Sequence, residues 1–300
     1  MADLALHPDI KEALLNAEKN ESPANIIAFI NQVIEKKNKS CAELVLEYGI
    51  KLIADSHEIT KLENFKVLEE VFLAALECRA FDWADLTLLL INEHIPRSPK
   101  AVRYLAMFKE AKGDIQDAKS IYRELLNTNP EDTTSYRRLA AFLRDSNLKD
   151  EAIATLNSAL KMNMADTQAW FELAEIYTAH MNYSKAAYCF EEILIQKPTN
   201  YLYNLKYAEL LYSIGGGENL ILARKYFSKA ITLSEDPMSK EGNKEHKNTR
   251  AVWGLLETCA RLEALGRKFQ DEINEELTEM CKDKLSSLYK GTNFDIEDLK

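Results

Sequence analysis

Alanine recurs at an interval of 34 residues in this 300-residue chain, at Ala84, Ala118, Ala152 and Ala186. A fixed period between about 20 and 50 residues is typical of solenoids, whose repeats bury their apolar faces against their neighbours. The spacing therefore predicts an elongated stack that grows by adding repeats and needs no second core.

Other positions keep the same register when each repeat is counted from residues 65, 99, 133, 167 and 201. The eighth position is small in four repeats, at Ala106, Ala140, Ala174 and Ala208, and is Phe72 in the first. The fourth and seventh positions are mostly large and apolar, as the inward stripe of an amphipathic helix requires. This pattern resembles the tetratricopeptide repeat (TPR) family, whose period is 34 residues. The resemblance implies an all-α TPR solenoid, a right-handed superhelix of helix pairs with helical caps. In that family a small residue opens the second helix of each pair, because the two helices cross there too closely for a side chain larger than alanine.

The pattern divides the chain into four parts. We expect residues 1–64 to form a divergent N-terminal helical cap, because apolar helical stripes continue there without the 34-residue signature. Five repeats follow, at 65–98, 99–132, 133–166, 167–200 and 201–233. The last repeat contains Gly215, Gly216 and Gly217, and its key alanine, Ala223, comes three residues late, which predicts an insertion in the turn between its helices.

The segments after the repeats have a different composition. Residues 234–250 are polar and charged and are predicted to be a mobile surface loop. Residues 251–300 are predicted to contain C-terminal helices and a tail. They include an amphipathic closing helix over 270–290, with Ile273 on its apolar side.

Charge and composition argue against several classes of function. With Lys+Arg 38 against Asp+Glu 48, the net charge of −10 disfavours nucleic-acid binding. The five cysteines and five histidines lack the spacing of a metal site or a catalytic cluster. We therefore predict no metal, no cofactor, no small-molecule substrate and no enzyme activity. The longest strongly apolar run, Leu86–Ile91, is far shorter than the ~20 residues of a membrane-spanning helix, so membrane association is expected through partners only.

A TPR solenoid binds partners in a concave groove, which that family lines with the second, fifth, ninth and twelfth positions of each first helix. On this sequence these positions give eight candidate binding residues: Lys100, Arg103, Arg137, Arg144, Phe171, Glu175, Leu205 and Tyr212. They also include Leu73, Leu76, Met107 and Glu110. The four cations form a basic patch and are expected to be exposed. We predict a groove for an extended peptide with acidic and apolar positions; the alternative is a solvated charged face.

One use of TPR grooves is the carboxylate clamp, which holds the acidic C-termini of chaperones. At the five clamp positions, counted from the repeat at 99, this chain has Arg103, Met107, Arg138, Gln168 and Glu172. The two clamp amides are missing, and a carboxylate replaces the last cation. The basic patch nevertheless keeps a free co-chaperone adaptor that binds acidic peptide tails as the alternative function.

Longer segments resemble one TPR family in particular, that of subunit 2 of the ER membrane protein complex. The resemblance is carried by residues 168–177, 182–192, 198–203 and 207–209, and it continues through the glycine-rich insertion into 223–230. It is strong from about residue 165 to 233 and extends more weakly towards residue 40. The 234–250 loop and the C-terminal tail differ from the family.

The resemblance implies a scaffold function. Members of that family are non-catalytic subunits, peripheral on the cytoplasmic face of the endoplasmic reticulum membrane, of a complex that inserts tail-anchored and multipass proteins. It implies that this chain holds cytosolic parts of other subunits, including those of subunits 3 and 5, and a soluble partner of the 8/9 type. The transmembrane chemistry would belong to the other subunits.

Overall fold

The computed structural model describes residues 7–55, 64–235, 248–266 and 272–289. These residues form fifteen α-helices and one short 3-10 helix, and they contain no β-strand. The prediction of an all-α fold built from TPR helix pairs is confirmed. Residues 236–247 of the predicted loop and residues 290–300 of the predicted tail lie outside the described residues.

The chain divides into two compact units, one ending at Phe142 and the other beginning at Leu143. Unit 1 contains α1 (Pro8–Lys19), α2 (Pro23–Lys36), α3 (Ala42–Asp55), α4 (Phe65–Glu77), α5 (Phe81–His94), α6 (Pro99–Lys112), α7 (Ile115–Thr128) and most of α8 (Thr133–Asp145). Unit 2 contains α9 (Lys149–Met162), α10 (Thr167–Ala179), α11 (Tyr183–Gln196), α12 (Tyr201–Ile214), α13 (Gly217–Glu235), α14 (Thr249–Ala264) and α15 (Glu272–Leu288).

The helices follow the 34-residue register. The first helices of the repeats begin at residues 65, 99, 133, 167 and 201, and the second helices of the first four begin at 81, 115, 149 and 183. Ala84, Ala118, Ala152 and Ala186 are each the fourth residue of a second helix, and each is 0% exposed. Because packed interiors hold few voids, a side chain larger than a methyl group would force the crossing helices apart.

Local capping chemistry sets where the helices begin and end, as the repeat at 99 illustrates. The Ser98 hydroxyl accepts a hydrogen bond from the Ala101 amide at 3.1 Å. Pro99 occupies the first turn, where its missing N–H has no intrahelical partner to lose. α6 ends at Gly113, whose φ of 84° lies in the left-handed region that glycine adopts without strain. The next helix can therefore start at Ile115 after a short turn.

The fourth position of the first helix ties that helix to the preceding turn in two repeats. Trp170 donates a hydrogen bond through Nε1 to the Met164 carbonyl at 2.8 Å. In the next repeat Asn204 is 0% exposed, and its Nδ2 donates to the carbonyls of Pro198 at 3.1 Å and Asn200 at 2.7 Å. The asparagine amide thus makes, from the same position, the kind of bond that the indole makes.

One inward position of α6 differs from the expected pattern. Leu105, at the seventh position, is 38% exposed, whereas the neighbouring Tyr104 is 8% exposed. The Tyr104 ring packs edge-on against Phe72, with the ring centroids 5.2 Å apart. The aromatic ring occupies the buried place because it removes more apolar surface from water than a leucine does.

The glycine-rich insertion lengthens a helix rather than a turn. Gly215 and Gly216 alone separate α12 from α13, and both have positive φ, 75° and 80°. Because α13 begins at Gly217, the buried Ala223 is its seventh residue instead of its fourth. The expectation of an elongated turn is wrong, since two left-handed glycines reverse the chain in a short space and the added residues join the helix.

Two further glycines allow close helix approaches. A Cβ atom on Gly49 of α3 would lie 2.5 Å from Cγ2 of Val71 in α4. A Cβ atom on Gly254 of α14 would lie 2.4 Å from Cε1 of Phe227 in α13. Both glycines therefore place a neighbouring helix closer than alanine would permit.

The C-terminal helices of unit 2 differ in detail from their prediction. Both ends of the predicted loop are helical, because α13 continues to residue 235 and α14 begins at residue 249. The closing helix is present as α15, but Ile273 is 57% exposed, while Asn274 and Leu285 are buried. Asn274 lies inward because its Nδ2 donates to the Cys259 carbonyl at 3.1 Å and its Oδ1 accepts from Arg224 at 3.2 Å.

Candidate functional site

Unit 1 contains an open cleft of about 530 Å³. It is formed by α4, α6 and α8 together with the C-terminal end of α2 and the beginning of α3. Its apolar lining consists of Val33, Val45, Leu73, Leu76, Met107 and Phe142, with three alanines between them. Several of these side chains belong to the packed core of unit 1, so the cleft has a preformed apolar floor.

The cleft uses the positions that TPR proteins turn towards their partners. Leu73 and Leu76 are the ninth and twelfth residues of one repeat, and Met107 and Glu110 are those of the next. Met107 is 6% exposed and supports the floor, whereas the two leucines are half-buried and keep part of their surface accessible. A ligand in the cleft would therefore bury leucine surface, which is a favourable source of binding free energy.

The charged groups of the cleft are mostly acidic. They are the carboxylates of Glu70, Glu77 and Glu110 and the guanidinium of Arg138. Arg138 Nη2 lies 3.3 Å from Glu110 Oε2, and the buried Tyr122 hydroxyl donates a short hydrogen bond to Oε1 of the same carboxylate. Three carboxylates against one guanidinium favour an apolar ligand that carries basic side chains.

Tyr122, on α7, holds the Glu110 carboxylate in position through this hydrogen bond. Burial of the phenol, followed by the nearby charge of Glu110, raises the pKa of Tyr122 far above its ordinary value. The hydroxyl therefore keeps its proton and stays a donor over the whole physiological pH range. Glu110 is consequently held in one place between α7 and α8 rather than free to move.

Arg103, predicted as an exposed cation, is part of a structural network. It is 21% exposed; its Nη2 lies 2.6 Å from Asp132 Oδ2, and its Nε donates to the Ser135 hydroxyl at 2.9 Å. Burial opposes the ionisation of Asp132, but the hydrogen bonds from Ser135 and Arg103 outweigh it and hold the pKa of this carboxyl below its ordinary value. The expectation of a free cation at Arg103 is wrong, because Asp132 binds it between α6 and the start of α8.

The other predicted cations of unit 1 are Lys100 and Arg137. The Lys100 ammonium contacts the carboxylate of Glu69 and lies 5.5 Å from the centre of the Phe65 ring. The Lys100 side chain is 47% exposed, whereas Arg137 is half-buried on α8. Lys100 therefore remains at the surface, although its charge is compensated.

Three predicted residues of unit 2 take part in internal packing. Leu205 is 4% exposed and belongs to the interior. Phe171 is half-buried, with its ring centroid 6.0 Å from that of Phe190. The Tyr212 hydroxyl donates to Glu257 of α14 at 3.1 Å, so Tyr212 joins α12 to α14. In the structure these side chains stabilise unit 2.

Arg144 and Glu175 lie nearer the surface of unit 2. Arg144 is 46% exposed, and its Nε lies 3.4 Å from Oδ1 of Asp145. Glu175 is 44% exposed, with its Oε1 3.8 Å from the ammonium of Lys206. Both groups are accessible to a partner because they are exposed. Ion pairs this exposed contribute little to stability.

The five cysteines carry free thiols; four are buried and Cys78 is half-buried. Burial raises the pKa of Cys189 and of Cys281 to about 12. Within the described ranges there is no group of three or more His, Cys, Asp or Glu side chains that could hold a metal ion. None of the described helices combines the length and apolar composition that a membrane crossing requires.

Helix pairs in a 34-residue register, with a buried alanine at each crossing, define a protein of the TPR class. The C-terminal part of a TPR repeat-containing protein from Cytophaga hutchinsonii has a similar structure, with a TM-score of 0.62. The two share 15% sequence identity, and the match covers 91% of this chain and 99% of that one. At this identity the likeness concerns the fold alone.

Sequence comparison identifies the family within this class. Residues 83–215 match the family described as the EMC2 TPR-like repeat domain. ER membrane protein complex subunit 2-A from Xenopus laevis is 34% identical over 220 residues, covering 73% of this chain and 70% of the relative. ER membrane protein complex subunit 2 from Dictyostelium discoideum is 28% identical over 251 residues, covering 83% and 78%. The chain therefore belongs to the ER membrane protein complex subunit 2 family.

The sequence pattern located part of the cleft and missed the rest. It placed Leu73, Leu76 and Met107 at groove positions, because these residues lie in clear repeats. It did not place Val33 and Val45, which come from helices without the 34-residue signature. The apolar stripe of α2 was the available signal, but a stripe predicts a helix without showing which groove its end will reach.

Proposed function

We propose that this chain is a non-catalytic scaffold subunit of the ER membrane protein complex. Its membership of the subunit 2 family supports this assignment. In the proposal the chain is peripheral on the cytoplasmic face of the endoplasmic reticulum membrane and reaches the membrane through partners. It supports insertion of tail-anchored and multipass proteins by holding cytosolic parts of other subunits, including subunits 3 and 5, and a soluble partner of the 8/9 type.

The observation that carries the scaffold role is the unit 1 cleft. It is open, has a preformed apolar floor and uses the positions with which TPR proteins bind peptides. Its excess of carboxylates suits a segment with apolar and basic side chains, in contrast to the acidic peptide that the sequence favoured. Lys100, Arg137, Arg144 and Glu175 remain proposed partner contacts outside the cleft.

The proposal is tested by affinity purification of the tagged chain from detergent-solubilised endoplasmic reticulum membranes. We expect the wild type to recover a stoichiometric set of membrane subunits. Glu77→Arg, at the exposed edge of the cleft, should reduce that recovery, whereas Glu124→Arg, on the outer surface of α7, should leave it unchanged. Recovery of no membrane subunit by the wild type would overturn the proposal. Equal recovery by all three proteins would remove the cleft from it.

A free co-chaperone adaptor is the other function that a TPR groove could serve. Two of its clamp positions are engaged within unit 1, since Arg103 is bound to Asp132 and Arg138 lies beside Glu110. Titration of the isolated chain with an acidic C-terminal peptide distinguishes the two functions. Micromolar binding of that peptide would favour the adaptor; the scaffold proposal expects none.

A further inference from the structure

Helix α5 presents apolar side chains to the surface of unit 1. Leu86 is 39% exposed and Leu89 is 58% exposed. On the opposite side of the same helix, Leu88 and Ile91 are buried in the core. The apolar run Leu86–Ile91 therefore supplies side chains to two faces of α5. Folding explains the face that carries Leu88 and Ile91, but not the exposed face that carries Leu86 and Leu89.

The other repeats show what the TPR fold requires at the same two positions. The residues 34, 68 and 102 positions after Leu86 are Ser120, Ala154 and Tyr188, and those after Leu89 are Arg123, Asn157 and Glu191. All six are exposed, and most are polar. These positions face solvent in every second helix compared, so the fold does not need leucine there. Single exposed apolar side chains are ordinary on a protein surface, but neighbouring ones that folding does not require mark an interaction surface.

The exposed side chains of α5 that carry a full charge are all of one sign. Asp82, Asp85 and Glu93 are exposed, and α5 contains no lysine or arginine. Asp82, Leu86, Leu89 and Glu93 are separated by four, three and four residues, which aligns them along one side of a helix. The line is about 16 Å long at 1.5 Å per residue. Two leucines are thus bracketed by a carboxylate at each end.

We propose that this line, which we call the α5 stripe, is the docking surface for an amphipathic helix of another polypeptide. That helix carries apolar residues at i and i+3 or i+4, and lysine or arginine at both ends of the apolar stretch. The apolar residues bury Leu86 and Leu89, and the cations pair with Asp82 and Glu93. The α5 stripe is separate from the cleft. It rests on the proposed function in that another subunit of the same complex supplies the helix.

Charge decides against the other occupants of an apolar surface. Two copies of the chain that packed through antiparallel α5 helices would bring Asp82 of one beside Glu93 of the other, and like charges at close range oppose the contact. An anionic membrane surface would be repelled by the same carboxylates. A cationic amphipathic helix is the occupant for which both the apolar and the charged parts are favourable.

The first test transplants the residues of the next repeat into α5. The double variant Leu86→Ser, Leu89→Arg carries the residues found at 120 and 123, so it should fold as the wild type does. Ile195→Arg is the matched control, because Ile195 of α11 is 76% exposed. We expect the double variant to recover about tenfold less of one subunit from solubilised membranes, equivalent to about 1.4 kcal/mol. The control should recover as much as the wild type.

The second test identifies the occupant with an otherwise unaltered chain. A photoreactive phenylalanine analogue at position 89 is cross-linked within the purified complex, and the attached peptide is sequenced. We expect a helical segment of another subunit with the stated apolar and basic pattern. Cross-links to lipid, to a second copy or to an acidic segment would overturn the inference, as would none at all. If the wild type recovers no complex, both this inference and the proposed function fail. If it does and position 89 stays unreacted, only this inference fails.

Discussion

Two different residue types play the same structural role at one position of successive repeats. Trp170 and Asn204 occupy the same position of successive repeats, and each donates a hydrogen bond to a carbonyl six residues earlier. A pattern based on hydrophobicity treats asparagine as a departure. The structure shows that the N–H donor is retained while the aromatic ring is not. Sequence reasoning missed this equivalence because it compared residues by polarity and size, not by the bond that each can donate.

The alanine positions give a prediction at the same scale. Ala186→Leu should lower the free energy of unfolding by roughly 1–3 kcal/mol, because a leucine side chain overpacks a crossing with no free space. Ala154→Leu is the matched control, since Ala154 is an exposed alanine within a second helix. It should change stability by less than about 0.5 kcal/mol. Denaturant unfolding followed by circular dichroism measures both. Equal stabilities of the two variants would contradict the assigned crossing.

At the scale of helices, close approach matters more than intrinsic helix propensity. Alanine is the better helix former by about 1 kcal/mol, yet Gly254→Ala places a methyl group against the Phe227 ring. We expect a net loss of roughly 1–2 kcal/mol, because overpacking exceeds the gain in propensity. Phe227→Leu in the same chain should restore part of the loss by making room. A Gly254→Ala variant more stable than the wild type would show that α14 can move away from α13 without cost.

The Arg103 network joins two helices and gives a second prediction at this scale. Arg103→Glu should destabilise the chain by roughly 1–3 kcal/mol, because it places a second carboxylate beside Asp132 and removes its charge-assisted hydrogen bonds. Arg144→Glu, in an exposed pair, should cost less than about 0.5 kcal/mol. Thermal unfolding of both variants at neutral pH makes the comparison. If Arg103→Glu unfolds at the same temperature as the wild type, the network does not stabilise the fold and Arg103 is available to a partner as a surface cation.

The same network predicts a pH dependence with a definite sign. The pKa of Asp132 is lowered in the folded chain, so its ionised form stabilises the fold above the ordinary carboxyl pKa of 3.8. That contribution is lost as the pH falls through the lower, folded-state value. Asp132→Asn should therefore unfold with a shallower loss of stability in acid than the wild type. Urea midpoints between pH 5 and pH 2.5 test this; parallel curves would contradict it.

For the whole molecule, the repeat period predicted where the first helix of each repeat begins, from residue 65 to residue 201. It succeeded there because each repeat supplies its own start, crossing and stop signals, such as Ser98 and Gly113. It failed at the glycine-rich insertion. The extra residues were predicted to lengthen the turn, but Gly215 and Gly216 form a short turn and the extra residues lengthen α13. The cleft was partly predictable for the same reason. Its acidity was not, because Glu70 and Glu77 lie outside the positions used to read the groove.

The reactivity of the five cysteine thiols reports local unfolding of the chain, because four of them are buried and Cys78 is half-buried. Cys41 and Cys78 lie in unit 1, and Cys189, Cys259 and Cys281 lie in unit 2. A buried thiol with a raised pKa reacts with a disulfide reagent only when its surroundings open. Repeats of a solenoid can open separately, so the five rates should differ and Cys78 should react first. Comparing the reaction rate of each cysteine with and without bound partners would then show which segments of the chain the assembly protects from local unfolding.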